Sequence, residues 1–161
     1  MRNYLIPAAF GLMVIAYICL YMYCRPPNKD KVQIVAADTL TQGEALLSAL
    51  INSEAHEDDI RDKYLVGSTV LNRVESKDFP NTIWGVIYQP KQYHGVDGNF
   101  ERTKLSDTVA VRLMKGLGRN FDVLYFYNSK TSKNKSFKKL MKSHKLITIT
   151  NSHKYFGKKK K

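Results

Sequence analysis

The feature that most constrains this chain is an uncharged, apolar run at its front. Residues 4–24 contain no Lys, Arg, Asp or Glu. As a helix rising ~1.5 Å per residue they cover the ~30 Å hydrocarbon core of a bilayer. A cleavable leader has a shorter apolar core of ~7–15 residues closed by small side chains, whereas Tyr21, Met22 and Tyr23 end this one. The run is therefore expected to be a retained transmembrane signal-anchor. Pro26-Pro27 ends it and opens a linker over residues 25–40. The remaining chain is enough for one small domain, residues 41–156, and a basic tail, residues 157–161.

Several chemistries are excluded by what that domain lacks. Both cysteines, Cys19 and Cys24, lie in the anchor, so the domain has neither a disulfide nor a thiol nucleophile. His56, His94, His144 and His153 are dispersed, with no His-Glu-x-x-His pair for zinc. No Gly-x-Ser-x-Gly elbow or phosphate-binding glycine loop appears, and the expectation is an activity without metal or cofactor.

One carboxylate stands where the local pattern calls for an apolar residue. Leu46, Leu47, Leu50 and Ile51 recur at helical spacing, and Glu54 continues their stripe. A carboxyl turned inward against leucine and isoleucine has its charged form disfavoured, which suits a general acid at neutral pH. The competing reading of the same pattern is a helix-terminal glutamate turned to solvent or paired with Arg61 or Lys63.

The surrounding motifs are more specific. They comprise Ser53-Glu54-Ala55, Leu71-Asn72-Arg73-Val74, Phe79-Pro80, Gln92-Tyr93, Tyr125-Phe126-Tyr127-Asn128 and His153-Lys154-Tyr155-Phe156. Together, over residues 42–156, they resemble the SleB-type cell wall hydrolase family. The resemblance implies a mostly α (α+β), lysozyme-like domain that cuts peptidoglycan glycan strands between N-acetylmuramic acid and N-acetylglucosamine, as a lytic transglycosylase. It implies Glu54 as the catalytic residue, with Asn72, Gln92, Tyr93, Tyr127 and Asn128 facing substrate. For Asn72 a capping or buried structural amide is the alternative, and Arg73 and His153 read as structural. Where the family commonly has Gly-Glu, Gly-Gln and Asn-Pro, this chain has Glu57-Asp58, Lys63-Tyr64 and Asn128-Ser129.

A hydrolysing muramidase is the alternative activity, because Glu57, Asp58 and Asp59 are close enough in sequence to supply the second carboxylate that hydrolysis needs. Either activity suits cell wall remodelling or a phage-type lysis protein of the endolysin kind.

Local signals divide the domain. Thr41 with Glu44 is a capping box opening the helix that carries Glu54, and residues 56–62 read as a polar loop leaving it. Helices are expected over residues 64–74, 82–88, 103–115 and 136–143, with Gly116 and Gly118 as stops and extended segments at 123–127 and 146–150. Trp84 reads equally as core or as a sugar-stacking surface.

A net charge of +12, with no acidic residue after Asp122, favours polyanionic surroundings such as a cell wall or anionic lipid. The same basic third supports a rival reading as a membrane-anchored wall-binding or nucleic-acid-binding module without catalysis, although no specific nucleic-acid motif is present. Arg2 precedes the anchor while Arg25, Lys29 and Lys31 come after it, so charge counting alone places the domain in the cytoplasm. Activity on the wall requires the periplasmic or extracellular side, and that is the orientation expected here.

Overall fold

The computed structural model describes residues 40–55, 59–90, 92–93, 101–119 and 121–161. The expected anchor, residues 4–24, and most of the linker lie outside them. Among the described residues no helix is long and apolar enough to cross a membrane.

Helix α1, Gln42–Glu54, starts at the expected capping box: the Glu44 carboxylate accepts the Thr41 amide at 2.8 Å, and the Thr41 hydroxyl oxygen accepts the Glu44 amide at 3.3 Å. Its inner face, Leu47, Leu50 and Ile51, is fully buried. Helix α2, Ile60–Glu75, begins earlier than its apolar pattern suggests. The Asp59 carboxylate accepts the amides of Arg61 and Asp62 at 3.0 and 3.2 Å, so residues 60–62, expected in a loop, form the first turn. Most of α2 is buried, which makes it the central helix.

Helix α3, Ile83–Ile87, comes after the Phe79-Pro80 turn and sends Val86 and Ile87 into the core. Helix α4, Lys104–Met114, opens on a second capping box, Thr103 with Ser106. Helices α1, α2 and α4 pack on one another, and Gly67 marks the tightest approach: a Cβ there would meet Leu113 Cδ1 and come within 2.8 Å of Ile51 Cδ1. Ser48 ties α1 to α4 by donating to Asp107 at 2.6 Å. After α4 the chain turns back through Gly116 and Gly118, both at positive φ (76° and 84°).

The rest of the domain is a three-stranded antiparallel sheet of order β1-β3-β2, with β1 Tyr125–Asn128, β2 His144–Ile149 and β3 His153–Lys159, and helix α5, Lys135–Met141, between β1 and β2. The architecture is thus mixed helix and sheet, with the helices making up most of the described secondary structure. The strand β3 runs on through Lys159 and Lys160 donates its amide to Ser143, so most of the expected tail belongs to the sheet. Strand alternation places Phe126 and Tyr155 on one face and Tyr127 and Phe156 on the other.

Candidate active site

Glu54 is the last residue of α1, half-buried and one turn beyond the fully buried Leu50 and Ile51. The helix end is held firmly. Ala55, the C-cap, donates its amide to Ile51 and its carbonyl accepts the buried Lys63 ammonium at 2.9 Å. Arg61, the other cation considered for Glu54, reaches Thr148 at 2.7 Å.

Two tyrosines sense the Glu54 charge. Burial pushes the Tyr93 hydroxyl up to about 12, Arg73 pulls it down, and Glu54 pushes it up further. Tyr155 is raised well above 10 by burial first, then by Asp62, Asp59 and Glu54. Glu54, Tyr93 and Tyr155 therefore share one electrostatic neighbourhood, on the sheet face where Phe126 lies between the two tyrosine rings at 6.2 and 5.5 Å.

Arg73 builds one wall of this neighbourhood. It is 4% exposed; its Nε donates to the Leu124 carbonyl at 2.7 Å, and Nη1 reaches Gln92 Oε1 at 3.0 Å and the Tyr93 hydroxyl at 3.1 Å. Its guanidinium also lies over the rings of Phe79, Tyr93 and Tyr125. Read as structural from sequence, Arg73 is what holds the Gln92-Tyr93 segment in position.

A second network went unread in the sequence. Asp62, 1% exposed, accepts Thr150 and Tyr155 hydroxyls on Oδ1 at 2.6 and 2.8 Å and meets His153 Nδ1 on Oδ2 at 2.9 Å. Burial works to raise the Asp62 carboxyl, but the His153 and Thr150 hydrogen bonds, the His153 charge and the Tyr155 hydroxyl outweigh it and hold it below 3.8. These partners are far apart in sequence. The signal available was the one applied to Glu54: Asp62 precedes Leu65 and Val66 at helical spacing, a carboxylate inside an apolar stripe.

The other expected substrate contacts fare differently. The Asn72 amide donates to the Phe121 and Val123 carbonyls at 2.7 and 2.9 Å and accepts from Arg119 at 2.9 Å, which spends it on anchoring the chain that enters β1. It takes the structural alternative. Tyr127 stacks on Phe156 at 5.7 Å, on the sheet face opposite Tyr155, because adjacent strand positions face opposite ways. The Asn128 Oδ1 accepts the amides of Lys130 and Thr131, both at 3.0 Å, shaping the turn after β1. His94, Glu57 and Asp58 lie outside the described residues. Among the described residues no cluster of His, Cys, Asp and Glu could hold a metal.

Residues 57–156 match the model of the Cell Wall Hydrolase family. The chain belongs to that family. The match begins after Glu54, so the case for Glu54 rests on its place at the end of α1. Spore cortex-lytic enzyme of Bacillus cereus is 28% identical over 93 residues, 56% of this chain and 36% of that protein. The chain thus spans about a third of the length of the curated relatives it matches.

Among solved structures, the catalytic domain of the germination-specific lytic transglycosylase SleB from Bacillus anthracis superposes with a TM-score of 0.62 at 22% identity, covering 75% of this chain and 99% of that one. The Bacillus cereus SleB catalytic domain gives 0.59 at 24%, covering 74% and 93%. At these identities the likeness shows the fold: the SleB catalytic-domain fold of mixed helix and sheet.

Proposed function

We propose that this cell wall hydrolase is a lytic transglycosylase, cutting the glycan strand of peptidoglycan between N-acetylmuramic acid and N-acetylglucosamine with Glu54 alone. Glu54 protonates the bridging oxygen as the glycosidic bond breaks with oxocarbenium character. The resulting carboxylate then takes the proton of the muramic acid 6-hydroxyl as that oxygen attacks the anomeric carbon, closing a 1,6-anhydro ring and restoring the acid.

The observation that carries the single-carboxylate reading is the state of the neighbouring acids. A hydrolase needs a second carboxyl at ~5–9.5 Å. Asp59 is committed to capping α2, and Asp62 is buried with its oxygens filled by three side chains. Asp62 is thereby closed to a sugar, and Asp59 is held through Oδ1 at the start of α2. Gln92 and Tyr93, held by Arg73, are the contacts assigned to substrate beside Glu54.

The test is the mass of the products. Digestion of purified peptidoglycan should yield muropeptides ending in 1,6-anhydro-muramic acid, one water lighter than hydrolysis products and resistant to borohydride. Reducing muramic acid ends would overturn the mechanism and direct attention to Glu57 and Asp58.

The proposal includes anchoring by residues 4–24 with the domain on the wall side of the membrane. A cysteine at the exposed Ser136, with Cys19 and Cys24 replaced, should react with an impermeant thiol reagent in intact spheroplasts. Labelling only after lysis would refute that orientation.

A further inference from the structure

Trp84 is 58% exposed, and Tyr88 beside it 38%. The chain thus leaves its one tryptophan outside the core, although α3 has buried positions at Val86 and Ile87. The indole is nonetheless ordered by contact, since the Tyr88 ring lies one helical turn on with centroids 4.0 Å apart and planes at 35°. Such a braced ring offers a flat apolar face at little further cost in conformational freedom.

The face borders a concavity. Gln42, Ala45 and Leu46 from the first turns of α1, Trp84 from α3 and Arg102 ahead of α4 line a cavity of about 270 Å³. Drug-sized ligand pockets run to ~300–1,000 Å³, so this one suits a single ring and its substituents. Arg102 adds charge: its guanidinium forms an ion pair with the buried Asp107 at 3.6 Å, beyond hydrogen-bond distance, and its side chain stays about a third exposed at the rim. The planar fork of Arg102 matches a carboxylate. The Gln42 side chain brings an amide to the same rim.

We propose that this pocket is a remote glycan subsite, in which the apolar face of an N-acetylated pyranose stacks on Trp84 and Arg102 pairs with the lactyl carboxylate of a muramic acid that carries no stem peptide. Leu46 and Glu54 are eight residues apart on α1, so the subsite lies ~12 Å along the helix from the catalytic carboxyl. A strand held there and at Glu54 is gripped at two places. The subsite deepens the peptidoglycan reading and rests on it.

Because Trp84 is the only tryptophan, its fluorescence reports occupancy directly. The experiment uses the whole chain carrying Glu54→Gln, in a detergent without a sugar headgroup, titrated with peptide-free strands of alternating N-acetylglucosamine and N-acetylmuramic acid. A saturable blue shift is expected, with the dissociation constant raised about tenfold by Arg102→Gln. In a parallel sedimentation assay with the same strands, Trp84→Phe should be retained and Trp84→Ala largely lost, with thermal midpoints unchanged because the side chain is exposed. Unchanged emission while strands still cosediment would overturn the subsite and leave the substrate reading standing. Failure to cosediment at all would sink both. Emission already blue-shifted without strands would show that the protein's own chain covers Trp84, and would also overturn the proposal.

Discussion

Replacing Asp62 by Asn removes one charge from a buried polar network of the domain and leaves its shape almost unchanged. Three contacts converge on this carboxylate, from Thr150, Tyr155 and His153, and the group is 1% exposed, so water cannot compensate. Hydrogen bonds to a charged acceptor are worth about 1.5–3 kcal/mol against 0.5–1.5 for neutral pairs. Losing roughly 1 kcal/mol at each contact costs about 3 kcal/mol, at the low end of the ~3–5 kcal/mol for breaking a buried ion pair. For a domain of this size that lowers the thermal midpoint by about 10–15 °C.

Urea unfolding followed by circular dichroism should show a lower midpoint at unchanged slope. The pH dependence supplies an independent check. The Asp62 pKa is held below 3.8 in the folded state, so its contribution is fully present above the unfolded value and is lost as pH falls through the folded one. The gap between wild type and Asp62→Asn should therefore be complete at neutral pH and close only below 3.8. A loss under about 1 kcal/mol, or a gap that persists unchanged into strong acid, would refute the assignment of a charged, network-bound Asp62.

Three further outcomes are expected. Glu54→Gln should keep the wild-type circular dichroism spectrum and lose about 100- to 10,000-fold in wall-clearing rate; full clearing would end its candidacy as the acid. Arg73→Lys should cost about 2–3 kcal/mol in urea unfolding, because an ammonium cannot serve Leu124, Gln92 and Tyr93 from one planar fork, and should raise KM more than it lowers kcat. Gly67→Ala should destabilise by about 1–3 kcal/mol, since its methyl meets Leu113 and Ile51 where α1, α2 and α4 cross; a stabilised variant would mean that the helices yield freely there.

Local chemistry was legible wherever one short stretch held both the signal and its partner. The Thr41–Glu44 box, the turns at Gly116 and Gly118 and the inward stripe ending at Glu54 needed no knowledge of the rest of the chain. The motif set likewise sufficed to place the chain in its family. The sequence left open what depended on long-range contacts. The roles of Asn72 and Arg73 depended on which side of α2 received the chain entering β1, and adjacency in sequence put one on backbone carbonyls and the other among aromatic rings.

Tyr127 matched a motif, and strand alternation put it on the face of Phe156 rather than that of Tyr155. Trp84 fitted core and surface alike until α3 packed with Val86 and Ile87 inward. The Asp62 network joins residues about 90 positions apart, linked only once β3 lies against α2. Helix periodicity identifies which residues face inward, but what they meet there depends on how the helices and the sheet dock.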